Sequence, residues 1–82
     1  MENTDVHRAM GARFNMKTWK FLEKQNRSEA ETSEMVHCVH ASLAHWLIAG
    51  GHVEEVRGLW HISRVCVEIG DAKLADQYAV EC

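Results

Sequence analysis

The sequence predicts an all-α fold of about four antiparallel helices, over residues 5–24, 29–49, 53–69 and 72–82. Three observations point there. The 82 residues include no proline, so no segment carries the strongest helix breaker. Hydrophobic residues make up 46% and three of them are tryptophan, which is too apolar for a disordered chain. The apolar residues recur at helical spacing between three polar or glycine-rich breaks, at residues 25–27, 50–51 and 70–71.

The first helix opens at Thr4, an N-cap acceptor, with Asp5 behind it at the positive end of the helix dipole. At about 100° per residue, Met10, Phe14 and Phe21 share a face, Trp19 and Leu22 lie beyond them, and Arg13, Lys17, Lys20, Lys24 and Arg27 form a cationic stripe opposite. Gly11 is expected to weaken this helix by about 1 kcal/mol relative to Ala. Ser28, followed three residues later by Glu31, is a capping-box pattern that starts the second helix. There Met35, Val36, Val39, Leu43, Trp46 and Leu47 cover one broad arc, and Ala41, Ala44 and Ile48 the opposite side. Only Cys38, Ser42 and His45 interrupt the rest, which predicts a helix packed between neighbours. Gly50 and Gly51 end it, because glycine adopts the left-handed cap conformation that a β-carbon disfavours. The third helix carries Val53, Val56, Leu59, Trp60, Cys66 and Val67 on one side and Ile62, Val65 and Ile69 on another. Between them runs a polar stripe of Glu54, Arg57, His61, Arg64 and Glu68. Gly70 and Asp71 stop this helix and cap a short fourth one, whose packing face is Leu74, Ala75, Tyr78, Ala79 and Cys82. Short loops make successive helices antiparallel neighbours.

A chain of this length is a single domain near the lower limit for stabilising itself. Its charge is unevenly divided. Residues 1–27, the basic amphipathic N-terminal helix, carry six Lys/Arg against three Asp/Glu, and residues 28–82, an acidic helical-hairpin body, carry three against nine. The two parts are expected to attract each other, within the chain or across a dimer, whereas a pI near 6.0 argues against nucleic acid as the partner. Cys38, Cys66 and Cys82 are odd in number and widely spaced with no CxxC pair, so they read as reduced thiols of a cytoplasmic protein. The first residues lack the basic and apolar stretches of a signal peptide, and no apolar run approaches the roughly 18 residues of a membrane helix.

Six histidines invite a test for a metal site. His37 and His40 share a helical face, but His45 lies about 80° from the first and about 140° from the second, so the three do not converge. No metal or cofactor is assigned. Structural histidines are the simpler reading, and the alternative takes His37, His40, His45 and Trp46 as the lining of a ligand pocket. Cys38, inside a helix, lacks the electropositive N-terminus that activates a thiol, and no phosphate loop or carboxylate pair is present, so no catalytic residue is assigned. Trp46, Trp60 and Trp19 read first as core, because each lies at helical spacing with other apolar residues, and for Trp19, flanking the cationic helix, the alternative is a partner anchor. The stripe on the third helix is a solvated face with internal ion pairs or a polar recognition ridge. The candidate interaction residues are therefore Trp19, Arg57, His61, Arg64, Leu74 and Tyr78.

Leu59, Ile62, Ser63, Cys66, Gly70, Asp71, Ala75, Ala79 and Cys82 follow the order of a known helix-turn-helix pattern, and residues 59–82 thereby resemble a tetratricopeptide unit. Cys66 stands where that pattern usually has an aromatic and Ala79 where it has a bulky residue. The run from His37 to Trp46, with Arg57, Trp60 and Ile62 to Val65, is similar to a group of bacterial tetratricopeptide-like proteins that continue in helix past the position of Cys82. The resemblance implies helical hairpins in a truncated member of that group, with no established activity to carry over. A repeat hairpin does not cover its own apolar face. The expectation is thus a non-enzymatic protein-interaction module that pairs with a second copy of itself and also takes another protein or peptide. The alternative is a small bundle binding a metal or small ligand through a His/Trp cluster.

Overall fold

The computed structural model describes residues 4–70. They form three α-helices, α1 (Thr4–Glu23), α2 (Glu29–Ala49) and α3 (His52–Glu68), with no strand among the described residues. The helix ends fall within a residue of those expected. The helix expected over 72–82, with Leu74 and Tyr78, lies outside the described residues, as does most of the second half of the tetratricopeptide-like unit.

Local chemistry sets the first two breaks. Ser28 is extended, its hydroxyl accepts from the Glu31 N–H at 3.1 Å, and the Glu31 carboxylate accepts from the Ser28 N–H at 3.1 Å, completing the capping box. Gly50 takes φ 76° and donates its N–H to the Trp46 carbonyl at 3.0 Å, a left-handed cap that a side chain would disfavour. Arg27, expected on the cationic stripe, lies past the end of α1 and turns back onto it. Its Nη1 donates to the Phe21 and Lys24 carbonyls at 2.9 and 2.8 Å, capping the end of α1, and its Nη2 donates to Glu68 on α3 at 3.3 Å.

Helix α2 is central: it packs on α1 and on α3, which meet each other only along a short seam. Met35 and Val39 of α2 and Ile62, Val65 and Cys66 of α3 form the buried core, with Phe21, Leu22, Val36 and Leu43 packed against it. Three acids meet cations of the basic segment within the chain: Lys17 reaches Glu34 at 3.4 Å, Lys24 pairs with Glu31, and Arg27 with Glu68 at 3.3 Å. Such exposed pairs are worth about 0–1 kcal/mol each, so they orient α1 more than they hold it.

What holds α1 is a close approach. Its buried residues are the small ones, Gly11 and Thr18, and the apolar residues beside them are only half-buried. A β-carbon at Gly11 would overlap the Trp46 indole. The Ser42 hydroxyl donates to the Gly11 carbonyl at 2.7 Å, and Trp46 Nε1–H to the Arg8 carbonyl at 3.3 Å. The residue expected to weaken α1 is the one that lets Trp46 in.

The rotation of α3 differs from the expected one. Its buried face is Gly58, His61, Ile62, Val65 and Cys66, while Val53, Trp60 and Val67 are more than half exposed. Gly58 sets this, because its bare Cα lets Leu43 of α2 sit against the helix. Trp60, expected in the core, is 52% exposed, and His61, expected on a solvated stripe, is fully buried. Of the ion pairs expected along that stripe, Arg64 to Glu68 forms at 3.0 Å.

Candidate functional site

Five side chains meet where α1 and α3 touch. Asn15 and Trp19 lie one turn apart on α1, and Arg57, Trp60 and His61 lie within one turn of each other on α3. Together they line an open cleft of about 300 Å³, the lower end of the range for small-ligand sites. The Trp19 indole stacks on the His61 ring with centroids 4.4 Å apart and planes 22° apart, and Trp60 tilts against Trp19 at 6.0 Å and 39°. Asn15 Nδ2–H donates to His61 Nδ1 at 2.9 Å. That bond makes Nδ1 the acceptor and leaves the imidazole proton on Nε2.

His61 is the unusual member. It is fully buried, and its Nε2 has no hydrogen-bond partner among the described residues. Leaving such a donor unpaired costs about 1–3 kcal/mol, so a buried unpaired group calls for an explanation. Burial, and then the positive charge of Arg64, lower its pKa to about 4, so the ring is neutral at physiological pH and Nε2–H is a donor. On the cleft rim, Arg57 is exposed and forms no ion pair among the described residues. The acid one turn before it, Glu54, lies back against Gly51 instead.

No protein-family model, curated protein or solved structure matches this chain. The site therefore rests on its own geometry.

The pocket expected from His37, His40, His45 and Trp46 does not form. Trp46 is buried under Gly11, and His37 and His40 are exposed on α2. His45 is half-buried, with its Nδ1 2.9 Å from His7 Nδ1 and its ring stacked on Phe14 at 5.9 Å. No group of three or more His, Cys, Asp or Glu among the described residues is placed to hold a metal ion. Burial pushes the Cys38 thiol up, away from the reactive thiolate. No helix among the described residues is long and apolar enough to cross a membrane.

Of the expected interaction residues, Trp19, Arg57 and His61 converge on the cleft, and Arg64 is turned to Glu68. Asn15 and Trp60 complete the site. Trp60 had the right residue type but was assigned to the core. The signal for Asn15 was its position four residues before Trp19, a polar amide in mid-helix on the aromatic flank.

Proposed function

We propose that this chain is a non-enzymatic recognition module whose binding face is the α1–α3 cleft, taking a side chain of a partner polypeptide between Trp19 and Trp60. The observation that carries the reading is a 52% exposed Trp60 beside a half-buried Trp19 and an exposed Arg57 with no ion pair among the described residues. Tryptophan and arginine dominate interface hot spots, because each contributes a large contact area with few rotamers or a rigid fork of donors. The cleft is open and its volume stands at the lower end of the small-ligand range, which favours a protruding side chain over an enclosed metabolite. Peptide display against the full chain, counter-selected on a Trp60→Ala variant, tests it: the recovered peptides bind the parent and lose the variant. Peptides that bind both equally remove the cleft from the account.

A second reading concerns self-association, in the helical-repeat manner that the sequence resembles. Val53, Trp60 and Val67 stand seven residues apart on α3 and are 57%, 52% and 58% exposed, the spacing of a helix-pairing seam. A homodimer through this stripe covers apolar area that a single copy leaves in water. Light scattering at micromolar concentration is expected to give twice the chain mass, and Val67→Lys to halve it. A monomer in both cases discards the dimer.

A further inference from the structure

We propose that His7 and His45 form an acid-operated latch that holds the first turns of α1 on α2: it stays closed while at most one of the two rings is charged and opens when both are. The inference goes beyond the cleft and does not depend on it, because the latch lies about two turns before Asn15 on α1.

The two rings, both half-buried, meet nitrogen to nitrogen. Their Nδ1 atoms are 2.9 Å apart and their centroids 5.2 Å apart. The difference is what two imidazole radii span, so both nitrogens lie on the line joining the ring centres, and the planes, 29° apart, meet edge to edge. Each Nδ1 therefore points straight at the other. A proton fits between them. A metal ion does not, because it needs about 2.0–2.1 Å to each nitrogen. With both rings neutral, one Nδ1–H donates and the other Nδ1 accepts. One added proton makes the bond charge-assisted and stronger. A second sets two N–H groups and two positive charges against each other, and the contact is lost.

Little around the pair offsets that second charge. Within one turn on the same side, His7 has Thr4, Met10 and Gly11 beside it, and His45 has Ala41, Ser42, Ile48 and Ala49. Phe14 lies parallel to the His45 ring with centroids 5.9 Å apart. On α1, Asp5 and Arg8 point about 160° and about 100° away from His7, and on α2, His37 and His40 point about 80° and about 140° away from His45. Further along the seam, Lys17 and Glu34 pair with each other at 3.4 Å, about three turns of α2 from His45. Helix α3, whose first turn carries His52, Glu54 and Glu55, packs against Leu43, about 160° round α2 from His45.

The latch acts on its neighbours in sequence. Arg8 follows His7 and Trp46 follows His45, and the Trp46 Nε1–H donates to the Arg8 carbonyl at 3.3 Å. Separating the rings pulls that bond apart and uncovers the indole, while Ser42 on the Gly11 carbonyl still holds the helix beyond it.

The test follows the full chain by NMR from about pH 8 to about pH 4.5, a range that brackets the ordinary titration of an imidazole. Ring C–H signals report the charge on His7 and on His45, and the Trp46 indole N–H reports the contact with Arg8. Since the first proton strengthens the latch and the second breaks it, their effects on global stability partly offset, and the local signal is the one to read. Trp46 is expected to hold its position while the first ring becomes charged and to move towards the free-indole position in step with the second, with Trp60 unmoved. His7→Gln, whose amide oxygen accepts from the His45 Nδ1–H whatever the charge of that ring, is expected to keep Trp46 in place throughout. A Trp46 signal that stays put with both rings charged, or that moves with the first, overturns the inference. So does one that moves alike in His7→Gln and the parent. If the variant already displaces Trp46 at about pH 8, the order of events in the parent decides alone.

Discussion

Helix α1 makes two seams, and they use the same kinds of side chain to different ends. Against α2, Trp46 fills the space over Gly11, its N–H is taken by the Arg8 carbonyl, and the Ser42 hydroxyl is taken by the Gly11 carbonyl. Each polar atom of that contact has a partner, and nothing in it is left for a ligand. Against α3, Trp19 stacks on His61 and Trp60 tilts against Trp19, but Trp60 is half in water and His61 Nε2 has no partner among the described residues. Aromatic and histidine content is similar at both seams, so content does not mark a site. What separates them is satisfaction: the first seam is closed and stabilises the fold, and the second is open and unpaired.

The sharpest way to break this comparison is the same substitution at both seams. Trp46→Ala removes a buried indole that touches the α1 backbone and is expected to cost about 4 kcal/mol. That is a large share of the stability of a domain this small. The loss is read as a drop in the urea midpoint with the slope unchanged. If Trp46→Ala costs no more than Trp60→Ala, the α1–α2 seam is not what holds the bundle.

The next effect comes from the unpaired histidine. Folding lowers the affinity of His61 for a proton, from a pKa of 6.5 to about 4, through burial first and Arg64 second. Its stabilising contribution is therefore fully present above pH 6.5 and is lost as the pH falls towards 4, because the unfolded chain takes up the proton first. At about 1.4 kcal/mol per pKa unit, and allowing for relaxation of the surroundings around the charged ring, we expect about 2 kcal/mol to disappear across that window. The desolvation of His40, with His37 beside it, acts in the same direction. Glu31, held down by Lys24 and Ser28, and Glu68, held down by Arg64 and Arg27, lose their contributions only below the ordinary carboxylate value. Urea melts between pH 7 and pH 4.5 measure the histidine part, and His61→Phe is expected to flatten most of it. A slope that survives in that variant assigns the titration elsewhere.

The helices were legible because their ends are written in local chemistry: Ser28 with Glu31, and Gly50. Which faces they bury was less legible, and the reason is the same at each failure. Gly11 and Gly58 let a neighbouring helix come close, and the closest approach decides which side turns inward. The polar residues Thr18, Ser42 and His61 are then buried because a backbone or side-chain partner is within reach, and Trp60 is turned out. A reading by hydrophobic periodicity weighs Trp60 as core and His61 as surface, since it counts one helix at a time and carries no term for the facing glycine. Three of the five cleft residues were still picked out, because Trp19, Arg57 and His61 are of the types that recognise partners wherever they fall.

The smallest effect on stability should come from the residue most important for binding. Trp60→Ala removes an indole that is 52% exposed and lies tilted at 39° against Trp19 with ring centroids 6.0 Å apart, so it forfeits part of one aromatic contact and little burial. We expect a cost of about 1 kcal/mol, a quarter of that at Trp46, together with complete loss of the cleft's peptide ligands. Denaturation and binding on the same sample separate the two quantities. A side chain that holds the fold loses stability and binding together when truncated. One kept for a partner loses binding alone, and an unchanged ligand affinity in Trp60→Ala would return this tryptophan to the ordinary exposed apolar residues that every small bundle leaves in water.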